Sequence, residues 1–182
     1  NTSAYRAYVA ANSLDDLIHK TLQDLSIDDL AALEAASRNI RMGFSAGALS
    51  PDLAAALSGA YAGLGRPPVA VRSSATAEDL PDSSFAGQQD TFLNVKGDAA
   101  FLEAVVNCWS SLWTARAIGY RARQKISPQG LSLAVVVQLL VPAEAAGILF
   151  TANPITGHRG QALIRAAWGL GEAIVGGLVT PD

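Results

Sequence analysis

Between Val69 and Val95 the sequence passes from apolar alternation into a long polar stretch and back again. Val69 and Val71 alternate with Ala70 and Arg72, the period of a half-buried strand. Thr91-Phe92-Leu93-Asn94-Val95 is rich in aromatic and β-branched residues and predicts a partner strand. About seventeen residues lie between them, with hardly a large apolar side chain. Loops of that length without secondary structure of their own are uncommon in compact domains, and are usually functional or disordered. This one is anchored at both ends, and Arg72 stands where the first strand gives out. Small hydroxyl residues, a guanidinium fork and Gly87 would let Arg72 and backbone N–H groups converge on an anion, above all a phosphate. The competing reading is a solvated surface turn, the commonest fate of an Arg before a Ser/Thr/Asp loop. The length of the loop favours the anion site, as does Gly87 just before the second strand, where a backbone can approach a ligand closely.

The totals bound the rest. A chain of 182 residues can bury roughly 70% of its unfolded surface, which fits one domain or two joined lobes. Half of it is hydrophobic and 16% charged, so it is globular. A net charge of −3 gives no support for a nucleic-acid surface or a polybasic membrane contact. The single Cys108 excludes an intrachain disulfide and fits a reducing compartment. His19 and His158 stand far apart, with no partners at metal-ligand spacing. No run approaches a membrane-spanning length, and the first residues lack the apolar segment of a signal peptide. The cytoplasm is the expected location.

Residues 1–66 read as helices. Ser13 is placed to cap a segment carrying Leu14, Leu17, Ile18, Leu22 and Leu25 at helical spacing. A second segment starts after Ser26 and closes near Gly43. Ser50-Pro51 opens a third, which runs to Gly65 as its C′ residue. After Val95, Gly97-Asp98 opens one long helix to about Ile126, with an apolar stripe through Val105, Trp109, Leu112, Trp113 and Ala117. Arg116, Arg121, Arg123 and Lys125 crowd its last third, either solvating the outer face or facing another domain. Leu131–Val141 reads as a buried strand interrupted by Gln138, whose amide needs partners there. Gly147–Thr151 reads as its hairpin return, and Ala162–Trp168 as a third strand. The second half is therefore a largely antiparallel sheet with the long helix against it. Gly169-Leu170-Gly171 does not make a dinucleotide fingerprint, since Ile174 stands where the third glycine belongs, and no Walker A sequence is present.

Arg72-Ser73-Ser74-Ala75-Thr76-Ala77-Glu78-Asp79-Leu80-Pro81 is followed by Ser84-Phe85-Ala86-Gly87-Gln88-Gln89 and Thr91–Val95. Arg116–Arg121, Val136-Val137-Gln138, Gly147–Thr151 and Trp168–Glu172 continue the series. In these ordered blocks the chain resembles the nucleotide-binding domain of the phosphoenolpyruvate synthase, pyruvate phosphate dikinase and rifampin phosphotransferase superfamily. The likeness runs from about Val69 to Asp182 and, more loosely, through the helices before it. It implies an α+β, ATP-grasp-like fold, a largely antiparallel sheet with packed helices, in which ATP lies between two lobes. Residues 1–66 would be the helical N-terminal part of that domain and 67–182 its sheet-containing, ATP-binding part. Members pass phosphate from ATP to a histidine on a separate swivelling domain, and from there to pyruvate or to the antibiotic.

Carried over by position, Arg72 would grip the ATP phosphates. Gly87 would line the phosphate site through its backbone and Thr91 through its hydroxyl. Gln138 would sit on the strand leading to the adenine, with Leu139–Val141 offering backbone groups to the base. Glu172 matches a family block, and packing or helix capping is its expected part. The family's glycine-flanked lysine, its later Glu, Gln and Arg segment that holds magnesium and triphosphate, and its phosphorylatable histidine find no match in these 182 residues. The sequence accordingly reads as an incomplete fragment, with no catalytic residue of its own and with the Mg²⁺ ligands expected outside it. The expected partners are ATP and the phosphohistidine and acceptor-binding domains of the parent enzyme, with no nucleic acid and no membrane. Two alternatives stand beside the pyruvate reading. One is an antibiotic kinase of the rifampin type, towards which Phe150–Gly157 leans; the other is a non-catalytic nucleotide-binding or docking lobe.

Overall fold

The computed structural model of the chain describes residues 1–75 and 90–175. They are mixed helix and antiparallel sheet, an α+β arrangement, and fall into two compact units, Asn1–Leu140 and Val141–Asp182.

The first unit opens with four helices: α1 (Thr2–Ala11), α2 (Leu14–Leu22), α3 (Leu30–Ala46) and α4 (Pro51–Gly63). Two of their ends differ from the sequence expectation. Ser13 occupies the cap position of α2 with φ 53° and makes no capping hydrogen bond; Asp15 and Asp16 in the first turn face the helix dipole instead, and α2 stops at Leu22. α3 is capped by Asp29, whose carboxylate accepts from the Ala32 N–H at 3.0 Å, and it runs through Gly43 rather than closing there. Packing against α2 favours glycine at that position. A Cβ on Gly43 would collide with the Leu17 δ-methyl and come within 3.2 Å of Leu14 on α2. α4 behaves as read: the Ser50 hydroxyl accepts from Leu53 N–H, and Gly65 follows the helix at φ +83°.

The entry to the sheet is fixed by Tyr61. Its hydroxyl donates to the Pro67 carbonyl at 2.8 Å, and its ring stacks on Phe101 at 4.6 Å. Beside it Arg66 grips Asp98 with two hydrogen bonds, at 2.8 and 3.2 Å. The chain then enters β1 (Val69–Ala75), the central strand of a sheet ordered β2-β1-β3, with β2 at Thr91–Val95 and β3 at Leu133–Leu139. Both pairings are antiparallel. Val69 pairs with Val95, but Val71 pairs with Phe92, so β2 carries one extra residue in that interval. Asn94, at φ 54°, absorbs the bulge. The bulge puts Phe92 and Val95, three apart, on the same core-facing side as Val69 and Val71.

Between β2 and β3 the single long helix of the sequence reading is broken. α5 (Asp98–Ser110) passes through a 3₁₀ turn at Ser111–Trp113 into α6 (Ala115–Arg123). The cause is local hydroxyl chemistry. Ser110 and Ser111 donate back to the carbonyls of Asn107 and Cys108, at 2.8 and 2.7 Å. Thr114 then leaves helical backbone (ψ 150°) and caps α6 by accepting from Ala117 N–H. The apolar spacing survives the break: Leu112, Trp113 and Ala117 are all buried.

The arginine row is divided as well. Arg116 and Arg123 are exposed, but Arg121 is only 3% exposed, so these side chains do not form one surface. Arg121 lies over the Trp113 ring, 5.1 Å from its centroid, and donates to the Leu112 carbonyl at 2.6 Å. Burial lowers its pKa to about 10. The Trp113 indole N–H donates in turn to the Tyr5 hydroxyl at 3.0 Å, joining α1 to the 3₁₀ turn. Tyr5, Tyr8, Phe44 and Trp109 complete this aromatic core, with Cys108 fully buried beside them.

Burial pushes the Tyr5 phenol far above its ordinary value of 10.0, against the smaller opposing pull of the Trp113 hydrogen bond and Arg121. The fold therefore holds the protonated form. This contribution to stability is complete below pH ~10 and is lost as pH rises beyond it, because only the unfolded chain then releases the proton. Tyr5→Phe should leave the tyrosinate absorbance at pH 11 unchanged while circular dichroism shows the chain folded. A loss of one tyrosine's worth of signal would contradict this.

The sequence reading buries Leu131–Val141 on both faces and turns it back on Gly147–Thr151. The structure corrects both points. β3 packs one face towards α1 and α5 and leaves Val136, Gln138 and Leu139 exposed. It pairs with β1 from Leu133↔Ala75 to Leu139↔Val69, and Leu140 N–H extends the ladder to the Pro68 carbonyl.

In the second unit β4 (Ala145–Phe150) pairs with β5 (Leu163–Trp168) instead, from Ala145↔Trp168 to Phe150↔Leu163. The turn at Asn153 provides the closure: its side-chain oxygen accepts from the N–H groups of Ile155 and Thr156, and its amide donates to Gln161. Leu149, Ile164 and Trp168 share one face of this hairpin and are exposed. A short helix, α7 (Glu172–Val175), follows, with Glu172 exposed in its first turn.

Candidate functional site

Alternation along β1 sends Val69 and Val71 to the core and Ala70, Arg72 and Ser74 to the opposite face. The register then decides what surrounds Arg72. Thr91 of β2 lies directly across from it on one side and Val136 of β3 on the other. Gln138 pairs with Ala70, one step along the same face. Residues directly opposite have Cβ atoms ~5 Å apart, and diagonal neighbours ~7–8 Å. Arg72, Thr91 and Gln138, far apart in sequence, therefore share one open face of the sheet. Gly87 and the hydroxyl-rich stretch Thr76–Gln89 lie outside the described residues.

Arg72 and Gln138 are exposed and Thr91 is half-buried. Gln138 thus needs no buried partner, contrary to the reading of β3 as a fully buried strand. Among the described residues nothing hydrogen-bonds or ion-pairs with Arg72. Asp90, the nearest acid in sequence among the described residues, is held by Arg41 of α3 at 3.4 Å. A guanidinium with five donors and no acid partner among the described residues, beside a hydroxyl and an amide, is suited to an oxyanion. Two residues next to this site are given no part in it by the sequence. Val136 shares the face, and Asp90 anchors the start of β2; only the register and the α3 contact reveal them.

A cavity of about 530 Å³ runs along the outer edge of β2 and is lined by Thr91 but by neither Arg72 nor Gln138. Its other wall is α5, with Glu103 and Asn107, which also border a second cavity of about 310 Å³. The groove is lined by both Lys96 and Glu103, whereas Arg72 stands on the open sheet face. Among the described residues no group of three or more His, Cys, Asp or Glu could hold a metal ion. Among them, too, no helix is long and apolar enough to cross a membrane.

The whole sequence, residues 1–182, matches the family described as pyruvate phosphate dikinase, AMP/ATP-binding domain. The chain belongs to that family. Members of the pyruvate phosphate dikinase AMP/ATP-binding domain family similar to it include a rifampicin phosphotransferase of Streptomyces sviceus, 50% identical over 182 residues. That alignment covers 100% of this chain and 21% of the relative. The phosphoenolpyruvate synthase of Aeropyrum pernix is 44% identical over 188 residues, covering 100% of this chain and 23% of the relative. The corresponding enzyme of Pyrococcus furiosus is 44% identical over 175 residues, covering 93% and 21%. The chain thus spans about a fifth of the length of these relatives.

Proposed function

We propose that the chain is the ATP-grasp-like, ATP-binding part of a phosphoenolpyruvate-synthase-type phosphotransferase. In this reading phosphate passes from ATP through a phosphohistidine on another domain to pyruvate. One observation carries the assignment of the site: Arg72, Thr91 and Gln138 stand on one open sheet face of a chain that matches an AMP/ATP-binding family along its whole length. Arg72 takes the phosphates as a bidentate donor, Thr91 adds its hydroxyl, and Gln138 offers an amide towards the base. Gly87 contributes backbone to the phosphates. The Mg²⁺ ligands, the phosphorylated histidine and the acceptor pocket come from further segments of a longer polypeptide, for which relatives about five times as long give the precedent. Residues 1–66 are the helical part of this domain and 67–182 its sheet-containing part, and the cytoplasm is its compartment.

A second acceptor has its own support. The Streptomyces sviceus relative, 50% identical across the whole of this chain, is named a rifampicin phosphotransferase. The non-catalytic docking reading is weaker, because the arginines that recommended it are split between core and surface.

The test uses the full-length protein with ATP labelled in its β-phosphate, offered pyruvate and rifampicin separately. Label should appear on a histidine and move to one of the two acceptors. The isolated 182 residues should transfer none, since positioning and metal-ion charge stabilisation supply most phosphoryl-transfer catalysis. Transfer by the isolated chain, or no histidine label in the full protein, would refute the proposal.

A further inference from the structure

The one acid that the described residues place beside Arg72 is held away from it. Asp90 immediately precedes Thr91, the residue directly across from Arg72, and stands just outside β2. Steps of ~3.8 Å along the chain and ~5 Å across the ladder bring its carboxylate within reach of a long guanidinium side chain. The structure pairs it elsewhere. Arg41 Nη2 lies 3.4 Å from Asp90 Oδ2, with the two side chains 40% and 39% exposed. Arg41 comes from α3 rather than from the sheet. It lies one helical turn from Ser37 on one side and Phe44 on the other, both buried, so the core-facing stripe of α3 carries it to the start of β2.

A carboxylate beside this arginine is an intramolecular rival of the ligand, because it satisfies the guanidinium with the same fork geometry that a phosphate uses. We infer that Arg41 is a positioning residue for the proposed ATP site: by holding the Asp90 carboxylate at α3 it leaves the Arg72 guanidinium open to phosphate. This rests on the proposed site and adds to it a residue that does not touch the nucleotide. Between partly exposed side chains the pair itself contributes little to folding stability, so its effect falls on what Arg72 meets. Without Arg41, the carboxylate turns to the cation across the ladder, and ATP has to displace it.

The experiment measures the Kd for ATP of the full-length protein by calorimetry at low ionic strength, where such pairs are least screened. Arg41→Ala should raise it about three- to fivefold and leave the melting temperature nearly unchanged. Arg41→Lys, which keeps a cation for Asp90, should stay near the parent. Asp90→Asn alone should bind no more weakly than the parent, and added to Arg41→Ala it should restore the affinity. A pair that only held β2 in place would behave otherwise: Asp90→Asn would weaken binding as Arg41→Ala does and would rescue nothing. In an Arg72→Ala background, Arg41→Ala should add less than about twofold, because its effect runs through the missing guanidinium. No effect of Arg41→Ala, no rescue by Asp90→Asn, or an undiminished loss in the Arg72→Ala background would overturn the inference while leaving the Arg72 site standing. Parental ATP affinity of Arg72→Ala would remove the site itself and the inference with it.

Discussion

Arg72→Ala should lower the affinity of the full-length protein for ATP about 10- to 100-fold and leave its melting temperature nearly unchanged. The size follows from charge-assisted hydrogen bonds, worth about 1.5–3 kcal/mol each, with ~1.4 kcal/mol per factor of ten. The insensitivity of the fold follows from position: the side chain is exposed, and among the described residues it bonds to nothing. Arg72→Lys should recover only part of the loss, since an ammonium keeps the charge but not the planar fork. A calorimetric titration of the three proteins decides the matter. Equal affinities would make Arg72 an ordinary solvated strand residue.

The second large effect lies in the core. Trp113→Ala should destabilise the chain by about 3–5 kcal/mol, the range for truncating a buried aromatic side chain. Three losses coincide there. The indole is almost fully buried, its N–H donates to Tyr5, and its ring underlies the buried Arg121 guanidinium. Removing the ring leaves a buried cation with its Leu112 carbonyl bond but without its aromatic surface. Against a total of about 5–15 kcal/mol for a natural domain, such a loss is severe. Denaturant unfolding of parent and variant measures it. A difference below about 1 kcal/mol would mean that the aromatic core does not hold the 3₁₀ turn to α1.

What the sequence discloses depends on how local the determinant is. Ser50-Pro51 and the stripe of α4 are local, and that helix lies where they place it. The α5–α6 break is local too, but its signal is three hydroxyl residues, Ser110 and Ser111 bonding back to α5 and Thr114 capping α6, which do not disturb the apolar spacing. Gly43 reads as a stop because glycine usually ends helices, whereas here it admits Leu14 and Leu17 from another helix. Strand alternation is legible on β1, and the period of two by itself separates Arg72 from the core.

Pairing is not legible. Nothing in Leu131–Val141 states that its partner is β1 rather than the segment that follows it, and the β4–β5 closure depends on the side chain of Asn153. The candidate site shares that limit. Family resemblance names Arg72, Thr91 and Gln138, but their common face, and Val136 within it, exists only through the register. Arg121 escapes a sequence reading for a related reason: its surroundings are Trp113 and Tyr5, and the latter is more than a hundred residues away in sequence.

A crystal structure of the full-length protein with a non-hydrolysable ATP analogue tests the central claim most directly. The account predicts triphosphate oxygens within hydrogen-bond distance of the Arg72 guanidinium, on the sheet face shared with Thr91, Val136 and Gln138. An analogue seated instead along the outer edge of β2 against Glu103 and Asn107, or bound with Arg72 pointing into solvent, would contradict it.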